Sequence, residues 1–576
     1  MMCNISNLTD KVPLMFQAQT KGRSQLQFIS RNQEQDSQRW ASEWTEKVYP
    51  HPPKFDKEIQ TRTYKMNWRF VSNGGQDEGI IRPVIGAFGL PFYPGSSMKG
   101  AFCKACTEEQ KQRYRLIGDS EKPSLLRFHG GYPMNDWTEG LIDIVHPQQK
   151  WQVEVNDTAE KPQGESGFAL ISLYEPTIKF GISSLLLHTN WNEIWEIWEK
   201  ALGYGIGCRV STGYGFPKAR LDDNGNTENS INIQGEILYK VFLKGQGQAP
   251  KLINSEESEF RPNIFRASLR GHALRIFSGL TNAEIARDLV NTLFGGIEGE
   301  ATQGLLGIAF KTSSLHLDTF ADGYNEPTYN VACELYWVLT QALKDEEKEI
   351  LKKLLRALMR FAMLLGGFGK SWRRADHRIF YEDYYNRRKP LIGCHWKWDK
   401  ISLINDNKVR NLTQATGFIN NVREIAQEWM HSQGVAPNLD NKANWREAWY
   451  SDNVQVWGRI AEDSGDCKAI TWLHQPFQVY DPQIKQPELS IKQTSVTGRV
   501  EGRISQIGRL WHRMYPIVIL KKPEEPNGRP IPKITNEYIE FLTIFPDNSP
   551  ECDDFLDFLN KEARRTSQQD SFQRLW

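Results

Sequence analysis

The sequence lacks the features that mark three large classes of protein. Its eight cysteines are scattered over 576 residues, and only Cys103 and Cys106 lie close together, which excludes a disulfide framework and favours a reducing cytoplasm. No apolar run reaches the ~18 residues of a membrane span, and the first residues lack the charged and apolar regions of a signal peptide. We therefore expect no membrane partner.

Charge excess and the common catalytic motifs are missing as well. The net charge is +1, from 71 basic and 70 acidic residues, so any nucleic-acid site must be a local patch. No GxxxxGK[ST], HExxH or GxSxG sequence occurs, which removes the commonest nucleotide-binding and hydrolase interpretations. At 576 residues the chain exceeds the roughly 250 to 300 residues of a single core, so two or three domains are expected.

A repeated motif is the most informative feature that is present. PGSSMKG at residues 94–100 follows an alternating strand, and ASLRG at residues 267–271 occupies the matching place about 170 residues later. Each is followed by a glycine cluster, at residues 203–207 and 366–370. A Ser, a basic residue and a Gly at the opening of a helix bring N–H groups, a hydroxyl and a cation to one point, which suits a phosphate. Two such stations predict a ligand with many phosphates.

Hydrophobic periodicity predicts similar surroundings for both stations. Alternating strands are predicted at residues 64–70 and again at 231–243. The remaining predicted strands lie at 141–145 and 167–182, and the predicted helices at 97–114, 191–202, 265–277, 283–294 and 341–365. The order of elements approximates a ferredoxin-like β-α-β-β-α-β unit, found twice.

We therefore predict an α+β protein of two tandem ferredoxin-like (RRM-like) domains. Residues 1–60 are predicted to be an N-terminal extension, and the first domain spans 61–228. The second domain spans 229–576 and carries a large, Trp-rich insertion at about 398–490.

GLPFYPGSSMKGAF at residues 89–102 and GYGIGCRVSTGYG at 203–215 resemble the RAMP superfamily of CRISPR systems. A looser match consists of ASLRGHALR at 267–275, LFGG at 293–296 and GGFGKSWRR at 366–374. RAMP proteins form the guide-RNA-binding backbone of type III effector complexes, and a fused pair is similar to the backbone proteins of type III-D complexes. The resemblance implies CRISPR RNA, target RNA and other effector subunits as partners, namely the large subunit and neighbouring RAMP backbone proteins.

The resemblance also implies that both stations and both glycine clusters grip the guide's sugar-phosphate backbone. The candidate RNA-binding residues are Ser96, Ser97, Lys99, Gly100, Lys104, Gly205, Gly207, Arg209, Lys218, Arg266, Ser268, Arg270, Arg275, Gly367, Lys370, Trp372, Arg373 and Arg374. The hydroxyls and cations among them can bind phosphate oxygens, and Trp372 can stack on a base. Capped surface helices and tight turns are the alternative interpretation.

Two other functions stay open. Related backbone subunits cut target RNA with an Asp in the loop before the PGSS motif, in the context Asp-x-Pro-x-x-Lys/Arg. DEGIIR at residues 77–82 matches except that Gly79 replaces the proline. Asp77, Glu78 and, in the second domain, Glu259 are therefore candidate catalytic residues that would use Mg²⁺ or Mn²⁺; without cleavage no cofactor is expected. The other function is that of a free-standing single-stranded RNA-binding protein.

Overall fold

The computed structural model describes most of the chain from residue 35 onwards. The described residues are 35–46, 48, 52–72, 74–77, 80–117, 123–145, 152–154, 168–252, 257–296, 302–319, 327–380, 392–483, 485–498, 500–501, 504–505, 507–523, 530–565 and 570–576. They form a mixed α+β fold with several antiparallel sheets.

Strands and helices are interspersed along the whole described chain. The strands are β1 (Gln60–Met66), β2 (Arg69–Phe70), β3 (Gly75–Asp77), β4 (Ile80–Arg82), β5 (Leu126–Pro133), β6 (Ile142–Val145), β7 (Phe168–Ile171), β8 (Leu173–Tyr174), β9 (Thr177–Ser184), β10 (Pro217–Leu221), β11 (Thr227–Ser230), β12 (Glu236–Gln248), β13 (Leu306–Thr319), β14 (Pro327–Leu339), β15 (Cys394–Trp398), β16 (Gln455–Ala461), β17 (Val500–Glu501), β18 (Ile504–Ser505), β19 (Leu510–Lys521), β20 (Ile531–Ile544) and β21 (Gln573–Arg574). The helices are α1 (Gln35–Glu46), α2 (Gly95–Ala105), α3 (Glu108–Arg113), α4 (Trp191–Gly203), α5 (Asn263–Ser278), α6 (Ala283–Phe294), α7 (Asp345–Leu364), α8 (Ser402–Asn405), α9 (Leu412–Ser432), α10 (Lys468–His474) and α11 (Pro550–Arg565). No described helix is long and apolar enough to cross a bilayer.

The first unit is an antiparallel sheet in the order β11-β10-β1-β9-β5. Helices α2 and α3 come between β1 and β5 in the chain, and α4 comes between β9 and β10. Tyr64 and Met66 on β1 are buried with Phe180 on β9 and Trp198 on α4, so one face of the sheet packs against a helix. Leaving β11 aside, the spatial order of the four main strands is fourth, first, third, second.

The second unit repeats this order with longer strands. Its sheet runs β13-β14-β12-β15, all antiparallel, with α5 and α6 between β12 and β13 and α7 between β14 and β15. Leu351, Leu354, Leu355 and Leu358 of α7 are all buried, as the helical period in the sequence predicts.

A third unit of the same order lies at the end of the chain. Its sheet runs β19-β20-β16-β21, with α10 between β16 and β19 and α11 between β20 and β21. The composition of about 398–490 predicts an insertion, yet β16 lies within that range and pairs with both β20 and β21. Most residues of β16 are buried on both faces of the sheet, so this strand lacks the alternation by which the other units were found.

Helix boundaries differ from the prediction at both stations. Helix α2 begins at Gly95, directly after Pro94, which is before the predicted start at 97 and without a serine cap. The predicted single helix over 97–114 is two helices, because Thr107 forms a capping box with Gln110 and starts α3. Helix α5 begins at Asn263, so the prediction that ASLRG at 267–271 opens a helix is wrong: the motif lies inside it.

The first and second units contact each other through buried polar groups. Arg69 Nε lies 2.8 Å from Glu259 Oε2, and both side chains are buried. Asn67 Nδ2 donates to the backbone oxygen of Phe310 at 2.9 Å, and the Ile308 amide donates to Ser211 O at 3.1 Å. These contacts bring the first glycine cluster against β13.

Candidate nucleic-acid interface

Helix α2 presents a narrow polar stripe to solvent. Ser97, Gly100 and Lys104 are exposed, whereas Met98 and Phe102 are buried. Spacings of three and four residues place the exposed positions one above another on the same face of a helix. The buried side chains fix the rotation of α2, so the stripe is held in place by the core.

The first turn of α2 has free backbone donors. The N–H groups of Gly95, Ser96 and Ser97 have no acceptor within the described part of the chain, and no side chain caps the helix. A Cβ on Gly95 would lie 2.1 Å from the backbone oxygen of Phe128, so only glycine allows the helix to start this close to β5. Free N–H groups at the positive end of a helix suit an anion.

Gly100 has no role in packing among the described residues. A Cβ added there would meet none of their atoms within 4 Å. Glycine in a helix interior costs about 1 kcal/mol relative to alanine, and no close contact in the described part of the protein explains that cost. The space beside Gly100 is open for close approach by a ligand.

The first glycine cluster, by contrast, is required by the protein's own turns. Gly205 and Gly207 have φ values of +81° and +83°, and a Cβ on Gly207 would lie 2.2 Å from the backbone oxygen of Val71. The turn interpretation therefore explains these glycines. The turn that these glycines form leads into Arg209, whose guanidinium lies 5.9 Å from the centre of the Tyr214 ring.

The α2 stripe leads into a groove between the first and second units. Lys104 Nζ lies 5.9 Å from the centre of the Tyr204 ring, and both residues line a groove of about 670 Å³. The other lining residues that matter for binding are Ser211 from the first unit and Gly307, Thr340 and Gln341 from the second. Glu236 also lines the groove, and its carboxylate is paired with Lys348 at 2.8 Å. The groove thus joins one station to the neighbouring unit.

Arginines from α5 lie beside this groove. Arg266 donates to the backbone oxygens of Phe294 and Leu306, and Leu306 directly precedes Gly307 of the groove. Burial, and then the positive charges of Arg270 and Arg209, lower the pKa of Arg266 to about 9. The three guanidinium groups therefore lie close enough to repel one another, which creates a local positive field.

Several cations of the α2 stripe and the groove have no acidic partner. Within the described ranges, no carboxylate forms an ion pair with Lys99, Lys104, Arg209 or Arg266. Arg62 and Arg220, elsewhere in the first unit, share Glu199 at 2.9 and 3.0 Å. Lys218 is exposed on β10, near Lys65, and does not line the groove. Because no internal carboxylate neutralises these cations, an external anion can bind them.

Four of the predicted RNA-binding side chains are buried instead, and Gly367 is buried as well. Ser268, Arg275, Trp372 and Arg373 lie inside the protein. Arg275 Nε and Arg373 bind Glu447 at 2.8 and 2.5 Å. Burial alone would raise the pKa of Glu447, but these arginines lower it to about 2. Arg275, Trp372 and Arg373 form a structural cluster around Glu447, and all four buried side chains are excluded from the candidate interface.

Most of the second glycine cluster also has a structural role. Arg374 donates to the backbone oxygens of Leu510 and Thr497, and a Cβ on Gly367 would lie 2.9 Å from Cys394 Sγ. Lys370 is exposed. The cluster therefore joins the second unit to the third, and Lys370 is its surface cation.

Among the predicted catalytic acids, Glu259 cannot bind a metal or a substrate, because other side chains already occupy its carboxylate. Trp68, Arg69 and Arg261 all donate to its carboxylate, and burial alone would raise its pKa, but the two arginines lower it to about 2. Its oxygens are occupied, so Glu259 does not fit a Mg²⁺ or Mn²⁺ ligand. Asp77 ends β3; its side chain, and all of Glu78, lie outside the described residues.

The groove's second-unit wall could not be found from the sequence. Thr340 and Gln341 follow β14, and no motif marks them. Tyr204 could have been found, because it lies within the glycine cluster and an aromatic ring between glycines is a common surface for a cation or a base.

Comparison with known proteins adds little to this site. No protein-family model matches the sequence, and no curated protein matches it either. Among solved structures, the crystal structure of Cmr1 from Pyrococcus furiosus in its apo form matches with a TM-score of 0.31 and 12% identity. That match covers 58% of this chain and 98% of Cmr1. A similarity of this strength supports no argument about function.

Proposed function

We propose that this protein is a CRISPR RNA-binding backbone subunit of a type III effector complex. In this proposal the guide passes along the α2 stripe and into the groove between the first and second units. The observation that carries the proposal is the convergence of free helix N–H groups and cations without acidic partners on one continuous surface.

The topology supports a RAMP-type assignment. A sheet order of fourth, first, third, second strand, with a helix after the first and third, is the ferredoxin-like, RRM-like arrangement. We extend the sequence prediction from two such domains to three, because β16 to β21 follow the same order. Repeated units in one chain fit a ligand that is itself a repeated phosphate chain.

The chemistry of the site suits backbone binding rather than base reading. The N–H groups of Gly95 to Ser97 and the ammonium of Lys104 can bind phosphate oxygens without regard to sequence. Gly100 leaves room for close approach of the ribose-phosphate chain. Base edges then remain free to pair with target RNA.

Charge reversal on α2 tests this proposal. Lys99→Glu with Lys104→Glu should weaken binding of a repeat-derived guide RNA to the full chain at least ten-fold and reduce the salt slope by about 1.4, roughly 0.7 for each lost single-strand phosphate contact. Lys522→Glu with Lys533→Glu makes the same change in net charge at exposed or strand-edge positions of the third unit. Equal loss in both double variants, or no loss in the first, would overturn the proposal.

A free-standing RNA-binding protein is distinguished by the molecules that copurify with it. Such a protein would copurify with mixed cellular RNA and without companion subunits. A backbone subunit should instead copurify from its host with a large subunit, neighbouring RAMP proteins and RNA that contains repeat sequence. Sequencing the bound RNA decides between the two.

Target cleavage is a second proposal, favoured by the position of Asp77. This residue ends β3, and its backbone pairs with Ile80 at the start of β4. Arg82 at the end of β4 supplies the basic residue of the Asp-x-Pro-x-x-Lys/Arg context, with Gly79 in the place of the proline. Mg²⁺ or Mn²⁺ belongs to this proposal, and Asp77→Ala in the assembled complex should abolish cutting at the positions that this unit serves. Unchanged cutting at every position would exclude it.

A further inference from the structure

A compact trio of potential metal ligands lies in the third unit, away from the groove. Cys467 immediately precedes α10, His512 lies on β19 and Glu540 lies on β20, and all three are buried. Cys467 Sγ lies 3.4 Å from His512 Nε2 and 3.0 Å from Glu540 Oε1, and the last two atoms are 3.3 Å apart. The RNA proposal uses none of these residues.

Two of the three distances are close to the edges of a tetrahedral zinc site, and the sulfur–oxygen distance of 3.0 Å is shorter than such an edge. With bonds of about 2.0 to 2.3 Å to N, O and S, two zinc ligands lie roughly 3.3 to 3.6 Å apart. A point within bonding distance of all three atoms therefore exists just above the plane that they define, and movement of a few tenths of an ångström relaxes the sulfur–oxygen distance. A thiolate, an imidazole and a carboxylate are also the ligand types that zinc prefers.

We propose that Cys467 Sγ, His512 Nε2 and Glu540 Oε1 bind one Zn²⁺ ion, with a water molecule as the fourth ligand. Such an ion ties the start of α10 to two neighbouring strands of the third sheet. The site has a structural role in that unit and stands whether or not the chain binds RNA.

The charges around the trio act in both directions. Arg459 contacts both Glu540 and Asp466, at 2.6 and 2.7 Å, so these three residues carry a net charge of −1. Arg374 and Arg513 also lie close enough to act on His512 and oppose a cation. Loss of the Cys467 thiol proton on coordination offsets one of the two charges of Zn²⁺.

Metal binding would replace one hydrogen bond of the trio. In the metal-free protein the Cys467 thiol donates to Glu540 Oε1 at 3.0 Å. Zinc binds the thiolate form of cysteine, so coordination displaces this proton and the site releases about one proton per ion.

Outer contacts hold the carboxylate in position for a metal. Glu540 Oε2 accepts from Arg459 Nε at 2.6 Å and from the Lys468 amide at 3.2 Å, while Oε1 accepts from the Ala469 amide at 2.9 Å. A ligand oriented by a second layer of hydrogen bonds loses little entropy on coordination.

The test is a titration of the full chain with Co²⁺ in a reducing buffer, after removal of metals with a chelator. The wild-type protein should take up one Co²⁺ per chain, with a thiolate-to-cobalt absorption band and tetrahedral visible bands. Cys467→Ser should lose the charge-transfer band and bind at least ten-fold more weakly. Cys552→Ser is the matched control, because Cys552 is also buried in the third unit but is not part of the trio.

The proposal is overturned if the wild type takes up no stoichiometric Co²⁺ or Zn²⁺, which means that the trio is only hydrogen-bonded. It is equally overturned if Cys467→Ser retains the band. If Cys467→Ser does not fold, His512→Gln with the same spectral readout replaces it. The number of metal ions bound per wild-type chain still tests the proposal without any variant.

Discussion

The first helices of the first and third units begin in opposite ways. The N–H groups at the start of α2 have no acceptor within the described part of the protein, and two serines flank them at the surface. At the start of α10, the amides of Lys468 and Ala469 donate to the buried carboxylate of Glu540. The same place in a repeated unit is thus open for an external anion in one copy and filled by an internal anion in the other.

The second unit lies between these extremes. Pro262 precedes α5, and Arg266 and Arg270 of this helix donate to oxygens of Phe294 and Gly295. These cations remain beside the groove but are already held by backbone carbonyls. A shared topology therefore does not imply a shared function, because the side chains around each helix start decide whether it can bind a ligand.

Removing the internal anion should have the largest effect. Glu540→Gln leaves the buried Arg459 paired with Asp466 alone, and breaking a buried ion pair costs about 3 kcal/mol. Urea unfolding of the metal-free protein, followed by hydrogen exchange of third-unit peptides, measures this loss. Guide binding at α2 should not change. A variant as stable as the wild type would show that the filled helix start contributes nothing.

Low pH should destabilise the start of α10, which is bound by Glu540, and should leave the start of α2 unchanged. Burial would raise the pKa of Glu540, but contacts with His512 and Arg459 lower it from 4.5 to about 2. The unfolded state therefore binds more protons between these values, so the stability is present above pH 4.5 and is lost as pH falls towards 2. The stability gap between wild type and Glu540→Gln should shrink by up to about 3 kcal/mol over this range. A gap that is constant with pH would contradict the ion pair.

Filling the open space on α2 should raise stability and weaken binding. Gly100→Ala should stabilise the protein by about 1 kcal/mol, because alanine favours a helix interior and nothing lies within 4 Å. Gly417→Ala in α9 is the matched control, since Gly417 is also exposed, helical and free of neighbours. Only Gly100→Ala should reduce guide affinity, measured by fluorescence anisotropy. Equal affinity in the two variants would mean that no ligand approaches Gly100.

Adding an acidic side chain to the first turn of α2 should have the smallest effect on stability, and it tests the anion site directly. Ser97→Asp places a carboxylate in the first turn and should stabilise the helix by about 0.3 to 1 kcal/mol through the helix dipole. It should also repel a phosphate and lower guide affinity several-fold, while Ser97→Asn, of similar shape, should not. Affinity that is the same in the Asp and Asn variants would argue against an anion site at this helix start.

Local patterns were sufficient for much of the architecture. The predicted helix over 283–294 is confirmed, because Asn282 caps it and its apolar period is regular. The helix predicted over 191–202 is confirmed within one residue, and it ends at the glycine cluster. The start of α2 lies near the predicted start at 97, but it is set by the Pro-Gly pair at 94–95 and not by a serine cap. These features depend on residues that are close together in the chain.

The remaining predictions failed where a residue pairs with a partner far away in the chain. The sequence motif at 267–275 looks like a phosphate station, yet Arg275 is buried against Glu447, 172 residues away. Glu259 looks like a loop acid, yet Arg69 binds it from 190 residues earlier. No local pattern distinguishes an arginine that will meet a distant carboxylate from one that will stay at the surface.

The sequence by itself determined the α+β composition, the boundaries of α4 and α6 and the repetition of one order of elements, because periodicity and capping act over a few residues. Only the tertiary structure decided that β16 belongs to a third sheet, which cations keep no acid, and which helix start is filled by Glu540. These outcomes depend on which charges meet across sheets, and burial makes such encounters strong enough to override the local pattern.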